Sequence, residues 1–352
     1  MRQLHLLLVL ITALIGTVIT SCSNADEPQQ GSKPNVEGNT YEVSLGLAGE
    51  YTDISEEPFS RANEDSPKKY YGINVYCMKT DGTVAEYTKY AYGVFDNIAD
   101  MKISLLGGYK YKFECTSVTE DADKFLGHEE LLGCPFKINV NGSDNLEKSF
   151  RLSNLNTFII SQEENLIGIK NGTTDITNSK YPTFQYPYPK MDRFYGELEN
   201  FEPANGATAT IPLKRTAFGI KLIVNGVPDG SLSWRVVTPF FDFATSNCSG
   251  TDKYEISQIV TFENVYNCWK DEGTYHEDVT ISFTWTRANG YEQSFEKTIT
   301  VKRNVMTIIN VNLKGGANDV SIGINEEENP MDNEEINIDC EGEDKNDTPV
   351  NP

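Results

Sequence analysis

Apolar and polar residues alternate strictly along much of this chain, in short runs separated by Gly-, Asn- and Pro-containing turns. The first run is Tyr41, Val43, Leu45 and Leu47, interleaved with Glu42, Ser44, Gly46 and Ala48. A period of two sends alternate side chains to opposite faces of an extended chain, so this stretch predicts a half-buried strand. Ile73, Val75 and Cys77 repeat the pattern, and Asp81-Gly82 predicts a tight hairpin into Val84–Tyr90. Gly107-Gly108 then turns the chain into Tyr109, Tyr111, Phe113 and Cys115, alternating with Lys110, Lys112 and Glu114. One face of that strand is apolar and aromatic, the other charged. Such a sheet must lay its apolar face on a second sheet, which predicts a sandwich. A short helix is expected near Asp123–Phe125 and a strand over Asn156–Ile160.

A second series begins near Ala207. Ile211 and Leu213 are followed by Phe218, Ile220, Leu222 and Val224, a turn at Asn225-Gly226, then Trp234, Val236 and Val237, and Phe240, Phe241 and Phe243. Val279, Ile281, Phe283 and Trp285 alternate with hydroxyl residues. Asn289-Gly290 predicts a hairpin into Ser294–Val301, and Val305–Leu313 is the last strong strand. No 3.6-residue apolar period is sustained over several turns. The expected fold is all-β: two tandem β-sandwich domains, over 41–155 and 206–325, joined by an irregular region at 156–205. Within that region Pro182, Pro187 and Pro189 exclude an interior strand from Tyr181–Pro189. Its aromatics can stack on a sugar, although packing on their own domain is the commoner use. After Gly315-Gly316, Val320, Ile322 and Ile324 alternate once more. An acidic tail over 326–352 carries eleven acids against one lysine between Glu326 and Asp347, with Ile336 and Ile338 among them. Two readings stand for this tail: a disordered acidic segment, or a strand that leaves its own body to complete another.

The N-terminal apolar run is of another kind. Arg2 precedes an apolar stretch from Leu6 to about Ile19, which ends in Ile19-Thr20-Ser21-Cys22. A charged start, an apolar middle and a small-residue cleavage site read as an export signal over 1–21. A cysteine directly after that site makes it a lipoprotein signal, with Cys22 acylated and membrane-anchored. The run falls short of the ~20 apolar residues that a transmembrane helix needs. Residues 22–40 are polar and rich in Gly and Pro, a flexible tether. Asp26 and Glu27 near its start resemble a surface-transfer signal of Bacteroidetes lipoproteins.

Composition narrows the function. The 352-residue chain has a formal net charge of -22, which repels nucleic acid and anionic lipid head groups. Of its seven cysteines, six lie beyond Cys22. An extracytoplasmic location permits disulfides, with Cys115–Cys134 and Cys248–Cys268 as local candidates. Buried free thiols are the equal alternative. No CxxC spacing is present and only His128 and His276 follow the signal, so neither a metal nor a cofactor is expected. No HExxH or GxSxG pattern places a nucleophile beside a base. We therefore name no catalytic residue and expect no enzyme.

Several motifs, taken in order, point further: Phe59-Ser60-Arg61-Ala62; Phe194-Tyr195-Gly196 with the run Ile211–Val224; and the run Thr300–Leu313. On spacing alone Arg61 is an ordinary loop residue. With the lipoprotein signal, the set resembles the fimbrillin superfamily, the shaft, anchor and tip subunits of Bacteroidetes pili, over most of the mature chain. The resemblance implies transthyretin-like sandwich domains and a surface-exposed lipoprotein of the outer membrane that enters the fimbrium after processing. It implies an arginine-specific protease cutting between Arg61 and Ala62, which releases the lipid and the first strand. A strand from a neighbouring subunit then fills the vacated groove. Carried over, Tyr41, Val43, Leu45 and Leu47 belong to the removed strand, and Val320, Ile322 and Ile324, or else Ile336–Ile338, to the donor. The implied partners are other pilus subunits, the membrane through the lipid, the protease, and a host or glycan ligand for adhesion. The acidic residues after Ile324 depart from the family pattern. The alternatives are a lipid-retained anchor subunit and a monomeric surface lipoprotein that binds glycan or host protein.

Overall fold

The computed structural model describes residues 39–51, 69–82, 86–119, 131–139, 147–171, 174–178, 181–186, 191–237, 242–314 and 321–331. Strands dominate, as the alternation predicts. The first sheet contains β1 (Thr40–Gly49), β2 (Lys69–Lys79), β3 (Thr88–Phe95), β4 (Lys102–Leu106), β5 (Tyr109–Thr119), β8 (Ile159–Ile160), β11 (Arg193–Phe201) and β12 (Thr208–Arg215), in the order β4-β1-β12-β11-β5-β2-β3-β8. Two ribbons accompany it: β6 (Leu131–Asn139) with β7 (Glu147–Arg151), and β9 (Thr174–Asn178) with β10 (Tyr181–Tyr186).

The first sheet folds on itself at β12. Ala209 to Leu213 pair with β1, whereas Lys214 and Arg215 pair with β11. Gly196 of β11 lets the strands close at this corner, because a Cβ there would lie 2.0 Å from the Pro212 carbonyl oxygen. One core lies inside the fold. It joins Val43, Leu45, Ile103, Leu105, Ala209, Ile211 and Leu213 on one layer to Tyr71, Ile73, Val75, Phe95, Tyr111, Phe113 and Cys115 on the other.

The second body is a plain sandwich. One sheet is β16 (Lys253–Thr261), β13 (Ala217–Asn225), β19 (Val305–Lys314) and β20 (Ser321–Pro330), in the order β16-β13-β19-β20. The other is β15 (Asp242–Ser249), β14 (Ser231–Val237), β17 (His276–Thr286) and β18 (Glu292–Lys302), in the order β15-β14-β17-β18. Phe218, Leu222, Val224, Ile309 and Val311 meet Leu232, Val279, Ile281, Phe283, Trp285, Ile299 and Val301 between them. A single turn-and-a-half of helix, α1 (Val265–Lys270), is capped by the Asn264 side chain, which accepts from the Asn267 amide at 2.9 Å.

Several expectations change. The strand over Ile211–Leu213 was assigned with the second series at 206–325; its hydrogen bonds place it in the first sheet, and the chain passes between the bodies at Thr216. Of the strand expected at Asn156–Ile160, only Ile159–Ile160 pairs. The hairpin after Asp81-Gly82 is looser than predicted, with its second strand starting at Thr88. Residues 181–186, read as a loop, form a strand of a two-stranded ribbon whose register shifts between Tyr181 and Phe184. Pro182 sits in that irregular part, outside any larger sheet. The helix expected at Asp123–Phe125 lies outside the described residues.

The largest departure concerns β5. Its Lys112 and Glu114 lie on the face that the alternation marks as charged. A second apolar cluster covers that face, built from Tyr70, Tyr92, Val94, Phe136, Ile138, Phe150, Leu166, Ile169, Tyr195 and Val265. Asn74 ties the covering segment down: its amide nitrogen donates to the Leu166 carbonyl and its oxygen accepts from the Leu166 amide, both at 2.8 Å.

Candidate strand-exchange groove

β1 lies between two partners. It runs parallel to β12, with Ser44 opposite Thr208 and Gly49 opposite Leu213, and antiparallel to β4, with Val43 opposite Ile103. Val43 and Leu45 are buried in the core, and Tyr41 and Leu47 pack against it from partly buried positions. The four residues named from the sequence therefore share one inward row, as a period of two requires. Backbone bonds continue beyond the ladders: the Leu45 amide donates to the Met101 carbonyl at 2.8 Å and the Glu50 amide to the Leu213 carbonyl at 2.9 Å.

At its C-terminal end β1 is latched. Gly49 turns the chain with φ 91°, a left-handed value that suits glycine. A Cβ there would meet the Leu213 carbonyl oxygen at 2.5 Å. The turn sends Glu50 towards the second body, where Arg303 Nη1 donates to both carboxylate oxygens at 2.9 and 2.6 Å. Glu50 also accepts from the Arg215 amide at 3.0 Å. The Arg215 guanidinium, almost wholly buried, makes a two-pronged pair with Asp192 at 2.9 and 2.8 Å and donates to Asn304 Oδ1 at 3.0 Å. Tyr51 follows as a buried plug. Its hydroxyl lies 2.6 Å from that of Tyr71, and its ring stands edge-on to Phe194 at 5.5 Å. Pattern reading missed Glu50, Arg215 and Arg303, because isolated charges at strand ends carry no periodic signal.

β20 forms the edge of the second body's sheet, antiparallel to β19, with Ile322 opposite Leu313 and Ile324 opposite Val311. Its end is linked to the latch, since the Met331 amide donates to the carbonyl of Asn304 at 2.9 Å. Val320, Ile336 and Ile338 lie outside the described residues, as do Cys22, Arg61 and Ala62.

The covered face of β5 holds the densest charge cluster. Lys112 Nζ reaches Glu197 at 2.7 Å and Glu199 at 3.0 Å; Lys170 Nζ reaches Glu114 at 2.5 Å and Glu197 at 3.0 Å. Burial alone would push the Glu197 carboxyl up, but hydrogen bonds from Lys112, Tyr195 and Lys170 outweigh it and hold the group below the ordinary carboxylate value. Burial likewise opposes charge on Lys112, yet Glu197 and Glu199 raise its affinity for the proton. Tyr195 donates to Glu197 at 2.5 Å, and burial, with the charges of Glu114 and Glu197, pushes its phenol far up. Lys170 also stands over the Tyr266 ring of α1 at 4.9 Å. The cluster compensates its own charges and fastens the covering segment and α1 to the sheet. Among the described residues no group of three or more His, Cys, Asp or Glu side chains could hold a metal ion.

Cys77, Cys115, Cys248 and Cys268 are free thiols. Of the two readings open for the cysteines, the thiol one applies to these four, and neither Cys115–Cys134 nor Cys248–Cys268 is formed. Burial pushes the Cys115 and Cys268 thiols up, so both stay protonated and behave as small apolar groups.

No family model and no curated protein matches the chain. Solved structures do align along most of its length. A candidate cell adhesion protein from Bacteroides eggerthii shares 13% identity at a TM-score of 0.39, covering 85% of this chain and 98% of its own. The fimbrial anchor protein Mfa2 from Porphyromonas gingivalis shares 12% at 0.33, covering 82% and 98%. The tip fimbrial protein Mfa3 from the same organism, with a C-terminal truncation, shares 10% at 0.30, covering 82% and 99%.

Proposed function

We propose that this chain is a structural subunit of a cell-surface fimbria that polymerises by strand addition and supports adhesion. The observation that carries the reading is the position of β1: an interior strand of the first sheet that precedes the Arg61 segment. A cut after Arg61 frees β1 from the rest of the chain without severing any other strand among the described residues. At about 1.5–3 kcal/mol for each fully buried side chain, Val43 and Leu45 together rival the lower end of a domain's net stability, about 5–15 kcal/mol. An opened groove of that kind leaves two unpaired strand edges over an exposed core, which recruit a replacement strand.

In this reading Cys22 carries the lipid that delivers the precursor to the outer membrane surface, and an arginine-specific protease cuts between Arg61 and Ala62. Val320, Ile322 and Ile324 supply the donor. The test is intact mass and N-terminal sequencing of the protein from its native surface. A chain that begins at Ala62 without lipid is the expected result. A chain that still begins at acylated Cys22 overturns the processed subunit and leaves a lipid-retained anchor or a monomeric surface binder.

A further inference from the structure

The segment after Gly316 repeats the sequence of β1. Residues 43–48 read Val-Ser-Leu-Gly-Leu-Ala, and residues 320–325 read Val-Ser-Ile-Gly-Ile-Asn. Valine, serine and glycine recur at the same offsets, and both leucines become isoleucines. In β1 each of these positions has a structural meaning. Val43 and Leu45 are buried, and Leu47 packs against the same core. Gly46 lies beside β12, where a Cβ would be in ordinary contact with Thr208 Cγ2 at 3.4 Å and Thr210 Oγ1 at 3.5 Å.

We propose that the groove's partner is residues 320–325 of a second copy of this chain, seated in the register of β1. Val320 takes the place of Val43, Ile322 that of Leu45 and Ile324 that of Leu47, with Gly323 at the position of Gly46. This rests on the strand-exchange reading above and adds the donor and its register. The donor runs parallel to β12, which brings Ser321 opposite Thr208 and Gly323 opposite Thr210, the partners of Ser44 and Gly46. Isoleucine for leucine conserves volume in the core.

The alternative donor around Ile336 and Ile338 fits less well. With those two residues in the places of Leu45 and Leu47, Glu334 falls at fully buried Val43, and an unpaired carboxylate there is costly. Moved by two residues, the segment places Asp339 at the Gly46 position and keeps none of the valine, serine and glycine that 320–325 shares with β1. The match of 320–325 itself stops at Gly49, where the donor has Glu326. A residue with a Cβ cannot follow the left-handed turn against the Leu213 carbonyl. The donor therefore runs straight on where β1 turns, and Glu326, Glu327 and Glu328 leave the groove by a different path from Glu50.

Two experiments on the full chain test this. In the first, precursor carrying Thr208→Cys and Ser321→Cys is cut with an arginine-specific protease, oxidised and run on a non-reducing gel. The expected result is a covalent ladder, absent for the shifted pair Thr208→Cys with Gly323→Cys. If the parent polymerises but the in-register pair gives no covalent ladder, or the shifted pair matches it, the register is overturned while strand exchange stands. In the second, the donor sequence is grafted into uncut precursor as L45I/L47I/A48N. We expect a cooperative melt near the parent's, lost in a graft of 321–326 onto the same six positions. An unfolded in-register graft overturns the match of donor to groove. If the cut parent forms no polymer at all, the strand-exchange reading fails, and the graft alone still decides whether 320–325 fits the groove.

Discussion

Leu45 shows how much of this molecule rests on single inward positions of one strand. It is buried among Ile103, Ile211 and Phe113 in one core, so truncation both removes apolar contact and leaves a void. Leu45→Ala should lose about 2–5 kcal/mol in urea unfolding of the uncut chain, whereas Ser44→Ala on the opposite face should stay within about 0.5 kcal/mol. Equal losses would show that β1 does not cover the core. Glu197 makes a second test at this scale. Its carboxyl is held below the ordinary value of 4.5, so its contribution is fully present above that pH and is lost as the pH falls through the depressed value. Glu197→Gln removes the one carboxylate that both Lys112 and Lys170 reach closely and leaves them Glu199 and Glu114. It should cost about 1.5–3 kcal/mol at neutral pH, the scale of a hydrogen bond to a charged group. The variant's stability should also fall less steeply than the parent's as the pH drops below 4.5. Parallel pH curves would remove Glu197 from the acid response.

The elements differ in how openly the sequence announces them. β1, β5, β17 and β19 alternate cleanly, and the residues their patterns turn inward are those found in the cores: Val43 and Leu45, Tyr111 and Phe113, Val279 to Trp285, Ile309 and Val311. Membership of a sheet was harder to read. β12 and β13 are separated only by Thr216; their apolar positions slip by one, from Ile211 and Leu213 to Phe218, Ile220, Leu222 and Val224, but that slip does not tell that the first pairs with β1 and the second with β19. The covered face of β5 was hidden for a related reason. Its cover comes from the β6–β7 ribbon, from short irregular pieces at 165–171 and from six-residue α1, the last two without a period, and its lysines and glutamates imitate a solvated surface. The strand residues of the candidate site were legible; its latch was not. The Glu50–Arg303 pair joins an element of the first body to the turn between β18 and β19, 253 positions along the chain. Glu50→Gln should lower the cost of unfolding by about 1–3 kcal/mol and speed the loss of the N-terminal fragment after cutting, followed by mass spectrometry. An unchanged release rate would mean that the latch does not hold β1.

At the scale of the whole molecule, charge opposes assembly. A chain with formal net charge -22 repels its own copies, and residues 320–325, the proposed donor, are followed directly by three glutamates. Raising ionic strength shortens the screening distance from about 30 Å at 0.01 M to about 8 Å at 0.15 M. Polymer growth by cut precursor, followed by light scattering, should therefore quicken with added sodium chloride. Slowing would point to ion pairs rather than apolar side chains as the main attraction between subunits.

The parallel pairing of β1 with β12 has a consequence for shape. In the strand-exchange reading proposed above, a groove that takes its strand parallel to β12, as it holds β1, and a donor at 320–325 make each joint head-to-tail rather than two-fold. Such a polymer has a front and a back. If strand exchange holds, one terminus offers an unspent donor and the other a groove that no neighbour has filled, and an uncut copy, its groove still closed by β1, can stand only at that second end.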